Sequence, residues 1–359
     1  MLTTLRELPR ALLSVAPAEL HKVLPGPTLI HLPGRREAPL FVSVLLHGNE
    51  FTGLEATQAV LAQYGARPLP RALSLFIGNV AAAARGLRRL DGQPDYNRVW
   101  PGGDGAGLPE HAMMAEVVEQ MRARGVFASI DIHNNTGFNP HYGCVNRLDQ
   151  RVLHLATLFS RIVVYFQRPL GVQSMAFAPL CPAVTVECGR AGDRSATEHA
   201  AAFVDAALRL DHFPDHPVLP HDVALYRTVG VVKVAEAVTF GFGRAQVDVA
   251  FERDLDHLNF RELDIGTRLA RVRAGCVQPL EVYDEAGPVD AGRYFQVVDG
   301  ELCTRRRVVP AMLTLDERVI RQDCLCYLME PHPLPSTVDL RSTERNPGRP
   351  GGAGSGAVD

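Results

Sequence analysis

The feature that most constrains the fold is an alternation of short apolar runs with longer helical stretches between residues 28 and 211. This alternation predicts an α/β domain built around a buried, mostly parallel sheet. We predict strands at 39–46, 72–78, 127–132, 161–165 and 183–187, and helices at 51–64, 108–124, 149–159 and 196–210. In such sheets ligands bind at the carboxyl ends of the strands, so residues at those ends are the first candidates for function.

The pattern changes over residues 212–222, where the sequence HFPDHPVLPHD interrupts the periodicity. Beyond it, short apolar runs such as VGVVKV and RYFQVV are separated by Gly, Asp and Pro, which predicts a β-rich region. We therefore divide the chain into a larger domain over 1–212, a smaller β-rich domain over 213–335 and a tail over 336–359. The tail has few apolar residues to bury and is predicted to be disordered.

The composition argues against several kinds of partner. The 37 basic and 40 acidic residues give a formal net charge of −3, so neither a nucleic acid nor an anionic membrane is expected to bind. No apolar run is long enough to span a bilayer, and the N-terminus is unlike a secretory signal. Seven cysteines without a regular framework are typical of free thiols in a reducing compartment. We predict a cytoplasmic protein, with a homo-oligomer as one alternative for its assembly.

Two predicted strand ends carry residues that suit a metal ion. The sequence LLHGNEFTG places His47 and Glu50 three residues apart, and SIDIHNNTG places His133 at the end of another strand. Two imidazoles and a carboxylate are a ligand set for one Zn²⁺ that leaves a position for water, although Co²⁺ or Ni²⁺ also bind such a set. Asp131 lies on the same strand face as His133, where it either orients a neighbouring group or is an ordinary strand-end carboxylate.

Two further segments place reactive groups near predicted strand ends. The sequence RRLDGQPDYNRVWPG contains Arg89, Asn97 and Arg98, which suit carboxylate binding and oxyanion stabilisation, the alternative being an Arg-rich surface loop. The sequence PAVTVECG places Glu187 at the end of the last strand of the larger domain. A carboxylate there can take a proton from water and deliver it to a leaving amine, although a strand-end Glu alone is usually only solvated.

In their order along the chain, HGNE, DYNR, DIHN and VECG resemble the zinc carboxypeptidase superfamily and, within it, the succinylglutamate desuccinylase/aspartoacylase family. The resemblance covers roughly residues 28–210. It implies a zinc-carboxypeptidase-like mixed sheet flanked by helices, followed by a smaller β-rich domain. It also implies zinc ligands at His47, Glu50 and His133 and a catalytic glutamate at Glu187.

The resemblance assigns roles to the basic segment as well. Asn97 and Arg98 match the pair that holds the carboxylate of the substrate. Arg89 matches the residue that polarises the scissile carbonyl, but only with an extra residue before Asp95, so the adjacent Arg88 remains a competitor. The sequence DIHNNTG is more similar to the aspartoacylases of the family than to the desuccinylases. This similarity favours a substrate with a small acyl group.

These observations lead to one main hypothesis and two alternatives. The main hypothesis is a zinc-dependent hydrolase that cleaves the amide bond of a small N-acyl amino acid. One alternative is a zinc carboxypeptidase acting on peptides or cell-wall fragments. The other is a binding protein that keeps the fold without catalysis, which the complete set of ligands and Glu187 disfavour.

Overall fold

The computed structural model describes residues 1–244 and 246–334. Its helices are α1 (Thr52–Tyr64), α2 (Val80–Ala83), α3 (Pro109–Ala123), α4 (Gln150–Phe159), α5 (Gln173–Phe177), α6 (Arg194–Arg209) and α7 (Glu317–Gln322). Its strands are β1 (Thr3–Leu5), β2 (Thr28–Leu32), β3 (Gly34–Val44), β4 (Leu69–Ile77), β5 (Ala128–His133), β6 (Tyr142–Val145), β7 (Ile162–Tyr165), β8 (Ala183–Glu187), β9 (Ala224–Val234), β10 (Phe240–Phe242), β11 (Val249–Phe251), β12 (Arg268–Val272), β13 (Leu280–Asp284), β14 (Gly287–Val289), β15 (Phe295–Val298), β16 (Glu301–Thr304), β17 (Val309–Ala311) and β18 (Cys326–Pro331). The predicted tail over 336–359 lies outside the described residues.

Thirteen of these strands form one sheet, in the order β1-β2-β4-β3-β5-β8-β6-β7-β9-β13-β14, with β18 also paired to β9 and β17 to β18. The central strands β4, β3, β5 and β8 are parallel to one another. Strands β2 and β6 run antiparallel to β4 and β8, so the sheet is mixed. The α/β class and the mixed sheet flanked by helices are therefore confirmed.

All five strands and four helices predicted for the larger domain are present, with ends displaced by up to five residues. The periodicity did not predict β1, β2 and β6, which have three, five and four residues. Strands this short show little alternation of their own. They are specified by pairing with segments far away in the sequence.

The helices pack on both faces of the sheet because successive side chains of a strand point to opposite faces. On β3, Leu40 and Val42 join the cluster of buried side chains that includes α1, α4 and α6. Phe41 lies between them in sequence but joins the cluster formed with α3 and α5 on the other side. There its ring stacks on Phe177 with a centroid separation of 4.4 Å. The sheet is thus buried on both faces, and its strand ends remain to form a site.

Residues after 212 contribute to two sheets. Strand β9 pairs in parallel with β7, placing Ala224 opposite Ile162, so the large sheet continues across position 212. Strands β10, β11, β12, β16 and β15 form a separate five-stranded sheet in that order. The predicted β-rich region is confirmed, whereas the division at residue 212 stays a prediction. Within the described residues, no helix has the length and apolar character needed to cross a membrane.

We expect Phe177→Ala to lower the free energy of unfolding by about 3–5 kcal/mol, the usual cost of deleting a buried aromatic side chain. Phe177 is fully buried and contacts both Phe41 and Trp100. Phe138→Ala is the matched control, because the Phe138 side chain is 58% exposed. Chemical denaturation of the two variants measures the difference. Equal losses would contradict this account of the core.

Candidate active site

The residues from the strand-end motifs meet at the carboxyl edge of the central parallel strands. His133 is the last residue of β5 and Glu187 the last residue of β8, and the two lie directly opposite each other in the register. His47 follows three residues beyond the end of the neighbouring strand β3. Because these strands are parallel, their ends lie at one edge of the sheet, and distant parts of the sequence come together there.

A tight turn brings Glu50 back beside His47. The backbone N–H of Glu50 donates to the carbonyl of His47 at 3.2 Å. Gly48 within the turn passes so close to α2 that a Cβ atom would lie 2.2 Å from the backbone nitrogen of Ala83. Only glycine fits at this position. In the HGNE sequence, Gly48 therefore allows the backbone to pass close to α2, and His47 and Glu50 supply the polar side chains.

His47, Glu50 and His133 form a buried cluster whose candidate ligand atoms all lie within 4.8 Å of one another. The Nδ1 atom of His47 is 2.8 Å from one carboxylate oxygen of Glu50, and the Nδ1 atom of His133 is 2.7 Å from the other. Two imidazole nitrogens and a carboxylate oxygen converging in this way are a donor set suited to a zinc-type ion. The three residues predicted as ligands are thus brought together.

The outer nitrogen of each imidazole is held by a carboxylate. The Nε2 atom of His47 lies 2.9 Å from Asp95, and the Nε2 atom of His133 lies 2.7 Å from Asp131. Metal-binding histidines commonly have such partners, which orient the ring and leave the inner nitrogen free to bind the ion. Of the two readings of Asp131, the orienting role fits this geometry. The part played by Asp95 was not predicted, although it belongs to the DYNR motif.

Glu187 lies beside this cluster with a carboxylate suited to proton transfer. Its Oε2 atom accepts a hydrogen bond of 2.6 Å from the Asn135 side chain. Burial raises the pKa of Glu187 to about 7. A carboxyl group with a pKa near neutrality can both accept and release a proton at ordinary pH.

The structure places Arg88, and not Arg89, at the cavity between these residues. Arg88 is buried, lines the cavity and donates to Asp95 at 3.0 Å. Arg89 donates to the backbone carbonyl of Gln93 at 2.7 Å and is not among the residues lining the cavity. The assignment of Arg89 to the scissile carbonyl therefore does not fit the geometry. Adjacent residues in a loop point in different directions, and the motif alone did not establish which one faces inward.

Asn97 and Arg98 both line the cavity. The Asn97 side chain accepts from the backbone N–H of Gln173 at 3.0 Å, which fixes its orientation beside the His133 ring. Arg98 donates to Asp323 at 3.1 Å. Burial opposes ionisation of Asp323, but Arg98 and Arg88 hold the pKa of this carboxyl below its usual value. Asp323 was missed from the sequence because no motif surrounds it and it lies more than two hundred residues from Arg98.

A mixed α/β sheet flanked by helices, with a buried His-Glu-His cluster at the carboxyl edge of its central strands, defines the class of this protein. Residues 39–210 match the model of a family described as the succinylglutamate desuccinylase/aspartoacylase catalytic domain. This part of the chain is therefore similar to that catalytic domain, and the resemblance inferred from the four motifs is confirmed.

Solved structures of the same fold cover most of the chain. Succinylglutamate desuccinylase from Chromobacterium violaceum aligns with a TM-score of 0.54 and 17% identity, over 84% of this chain and 87% of its own. A succinylglutamate desuccinylase/aspartoacylase from Rhodobacter sphaeroides gives 0.54 and 14%, over 84% and 88%. Murine aminoacylase 3 gives 0.51 and 14%, over 83% and 96%. At these identities the comparison establishes a common fold. No curated protein matches the chain by sequence.

Zinc binding tests the proposed cluster directly. We expect the wild-type protein to retain about one zinc ion per chain after dialysis, because three ligand side chains converge on one point. His133→Ala removes one of the three ligands and is expected to weaken zinc binding by more than about 100-fold. Loss of a group that only orients a ligand typically weakens binding by about 10- to 100-fold, and loss of the ligand itself should cost more. His21→Ala, which changes an exposed histidine, is the control. Competition with a chromogenic chelator measures the zinc affinity of each protein. Equal zinc affinities for His133→Ala and wild type would place the metal elsewhere.

Proposed function

We propose that the protein is a zinc-dependent amidohydrolase that removes the acyl group from a small N-acyl amino acid. The observation that carries this proposal is the buried His47–Glu50–His133 cluster with Glu187 at the same edge of the sheet. The family match supports a deacylase, because the family is described by succinylglutamate desuccinylase and aspartoacylase. A cytoplasmic location and a small-molecule substrate are parts of the same proposal.

Different residues of the chain have different roles in amide hydrolysis. A zinc ion held by His47, Glu50 and His133 would supply Lewis acidity, which lowers the pKa of a water at the site and polarises a carbonyl oxygen. Glu187 accepts a proton from the attacking water and passes it to the amide nitrogen as the C–N bond breaks. The water oxygen joins the carbonyl carbon, so the products are a carboxylic acid and a free amine.

Arg88 takes the role that the resemblance gave to Arg89. Its guanidinium lines the cavity and is held in place by Asp95, from where it can donate to the carbonyl oxygen as negative charge develops there. Arg98 and Asn97 hold the carboxylate of the amino-acid part. Arg98 has five N–H donors, and those not used by Asp323 and the Asn97 carbonyl are free for the substrate.

We expect Glu187→Gln to lower kcat by at least about 100-fold, the lower limit for loss of a positioned general acid–base group. Zinc content is expected to stay unchanged, because Glu187 is not one of the three converging ligands. Release of amine is measured on a panel of N-acetyl, N-succinyl and N-formyl amino acids and dipeptides, with and without chelator. Glu198→Gln on the exposed face of α6 is the control.

Each outcome of this panel has a clear meaning. Chelator-sensitive cleavage of an N-acyl amino acid that is lost in Glu187→Gln supports the proposed function. Preferred cleavage of dipeptides would establish the carboxypeptidase alternative. Bound zinc without cleavage of any compound would contradict an amidohydrolase, and an active Glu187→Gln variant would remove this residue from the mechanism.

Arg88→Lys and Arg89→Lys form a matched pair that tests which arginine serves the carbonyl. We expect Arg88→Lys to lower kcat by about 100- to 1000-fold, as for loss of an oxyanion donor. Arg89→Lys is expected to change kcat by no more than about twofold, as for a substitution away from the site. Circular dichroism and zinc content verify that both variants fold. The reverse ranking would restore Arg89 to the role implied by the resemblance.

A further inference from the structure

The active-site cavity has a charged side and an apolar side. The charged side consists of the metal cluster, Glu187 and the arginines described above. The apolar side, here called the apolar wall, is lined by Val164, Phe166, Val172, Ala311, Met312 and Met329. These residues come from β7 and the segment after it, and from β17, β18 and the turn after β17. The cavity therefore lies between a charged surface and a hydrocarbon surface.

The apolar wall is anchored in packed structure. Val164, Ala311 and Met329 are buried at 5%, 3% and 0% exposure and belong to one hydrophobic cluster, with Met312 packed against it. Tyr142 belongs to this cluster, Thr185 lies opposite Cys144 in the sheet, and both line the cavity with neutral hydroxyl groups. A charged substituent directed at this side would lose its water without gaining an opposite charge, which is costly. An apolar substituent would gain from the same burial.

The charged side has little capacity for extra negative charge. Among the described residues that line the cavity, Arg88 and Arg98 are the only arginines, and no lysine lines it. Arg88 contacts Asp95, Asp323 and Glu50, and Arg98 contacts Asp323. One substrate carboxylate can use the remaining donors of Arg98. Arg88 already contacts three carboxylates of the chain, and its role in the proposed mechanism is to donate to the carbonyl oxygen. Among the described lining residues, no third arginine or lysine is present for a second substrate carboxylate.

We propose that the substrate is an N-acyl amino acid with a single carboxylate and an apolar group that packs on the apolar wall. The apolar group belongs either to the acyl part or to the amino-acid side chain. This inference rests on the proposed function and names its substrate class. It sets the protein apart from an enzyme selective for polycarboxylates, such as N-acetylaspartate with two carboxylates or N-succinylglutamate with three. Each of these brings at least one further negative charge, for which the described lining residues supply no additional cation.

Two substrate series and two polycarboxylates, N-acetylaspartate and N-succinylglutamate, test the inference. The acyl series is N-acetyl-, N-butanoyl- and N-hexanoylglycine, and the side-chain series is N-acetylalanine, N-acetylleucine and N-acetylphenylalanine. Each buried CH₂ group is expected to raise kcat/KM about fourfold in the series that contacts the wall. The series that responds identifies the part of the substrate that lies there. The inference is overturned if kcat/KM for N-acetylaspartate or N-succinylglutamate is higher than for every member of both series. That result would leave the proposed function intact.

Phe166→Ala tests whether the preference for apolar substrates depends on the apolar wall. This change removes a ring from the wall and is expected to lower kcat/KM for the best long-chain compound by about tenfold more than for N-acetylglycine, because several buried CH₂ contacts are lost. Phe138→Ala is the control, since Phe138 is outside the cavity lining. An equal effect of Phe166→Ala on all compounds would overturn the assignment of the wall as the apolar site.

A binding measurement separates failure of this inference from failure of the proposed function. Calorimetry with zinc-loaded Glu187→Gln protein reports affinity for the same compounds without turnover. If wild-type protein hydrolyses nothing but the variant binds the apolar compounds more tightly than the polycarboxylates, the inferred ligand class stands and the proposed reaction is wrong. If the polycarboxylates bind more tightly, or if no compound binds, the inference is overturned.

Discussion

The carboxylate of Glu50 is the group on which the site depends. It is buried, and each of its oxygens lies within 2.8 Å of a histidine nitrogen. A buried carboxylate is costly unless opposite charge and hydrogen bonds surround it. The chain meets this requirement with His47, His133 and Arg88, and those groups are held in turn by Asp95 and Asp131. The same arrangement that stabilises a buried anion therefore also forms a set of inward-facing nitrogens suited to a metal ion.

This network extends to residues beyond position 212. Arg88 and Arg98 both contact Asp323, which follows α7 near the end of the described chain. The segment that carries Asp323 lies close to β17 and β18, whose side chains form part of the apolar wall. Residues after 212 thus compensate the charge of the site and shape its apolar side. Residues from both sides of position 212 therefore line the cavity, and buried ion pairs with Asp323 connect the two parts.

Much of this architecture could be predicted because it is encoded locally. Strand ends such as DIH and VE were visible as apolar runs that stop at a polar residue, and the order of the four motifs identified the family. The choice between Arg88 and Arg89 was not local in this sense. It depends on the path of a loop whose direction is set by contacts with Asp95 and Gln93. Asp323 left no signal, because an acidic residue after a short surface helix is common.

The sequence by itself determined the α/β alternation and the strand ends at or just before His47, His133 and Glu187. These properties follow from the periodicity of apolar residues, which is a local pattern. Only the tertiary structure decided which arginine faces the cavity, which carboxylates neutralise it and which apolar side chains form its other side. Those properties arise from contacts between segments up to 235 residues apart, where pairing and burial, and not local pattern, select the neighbours.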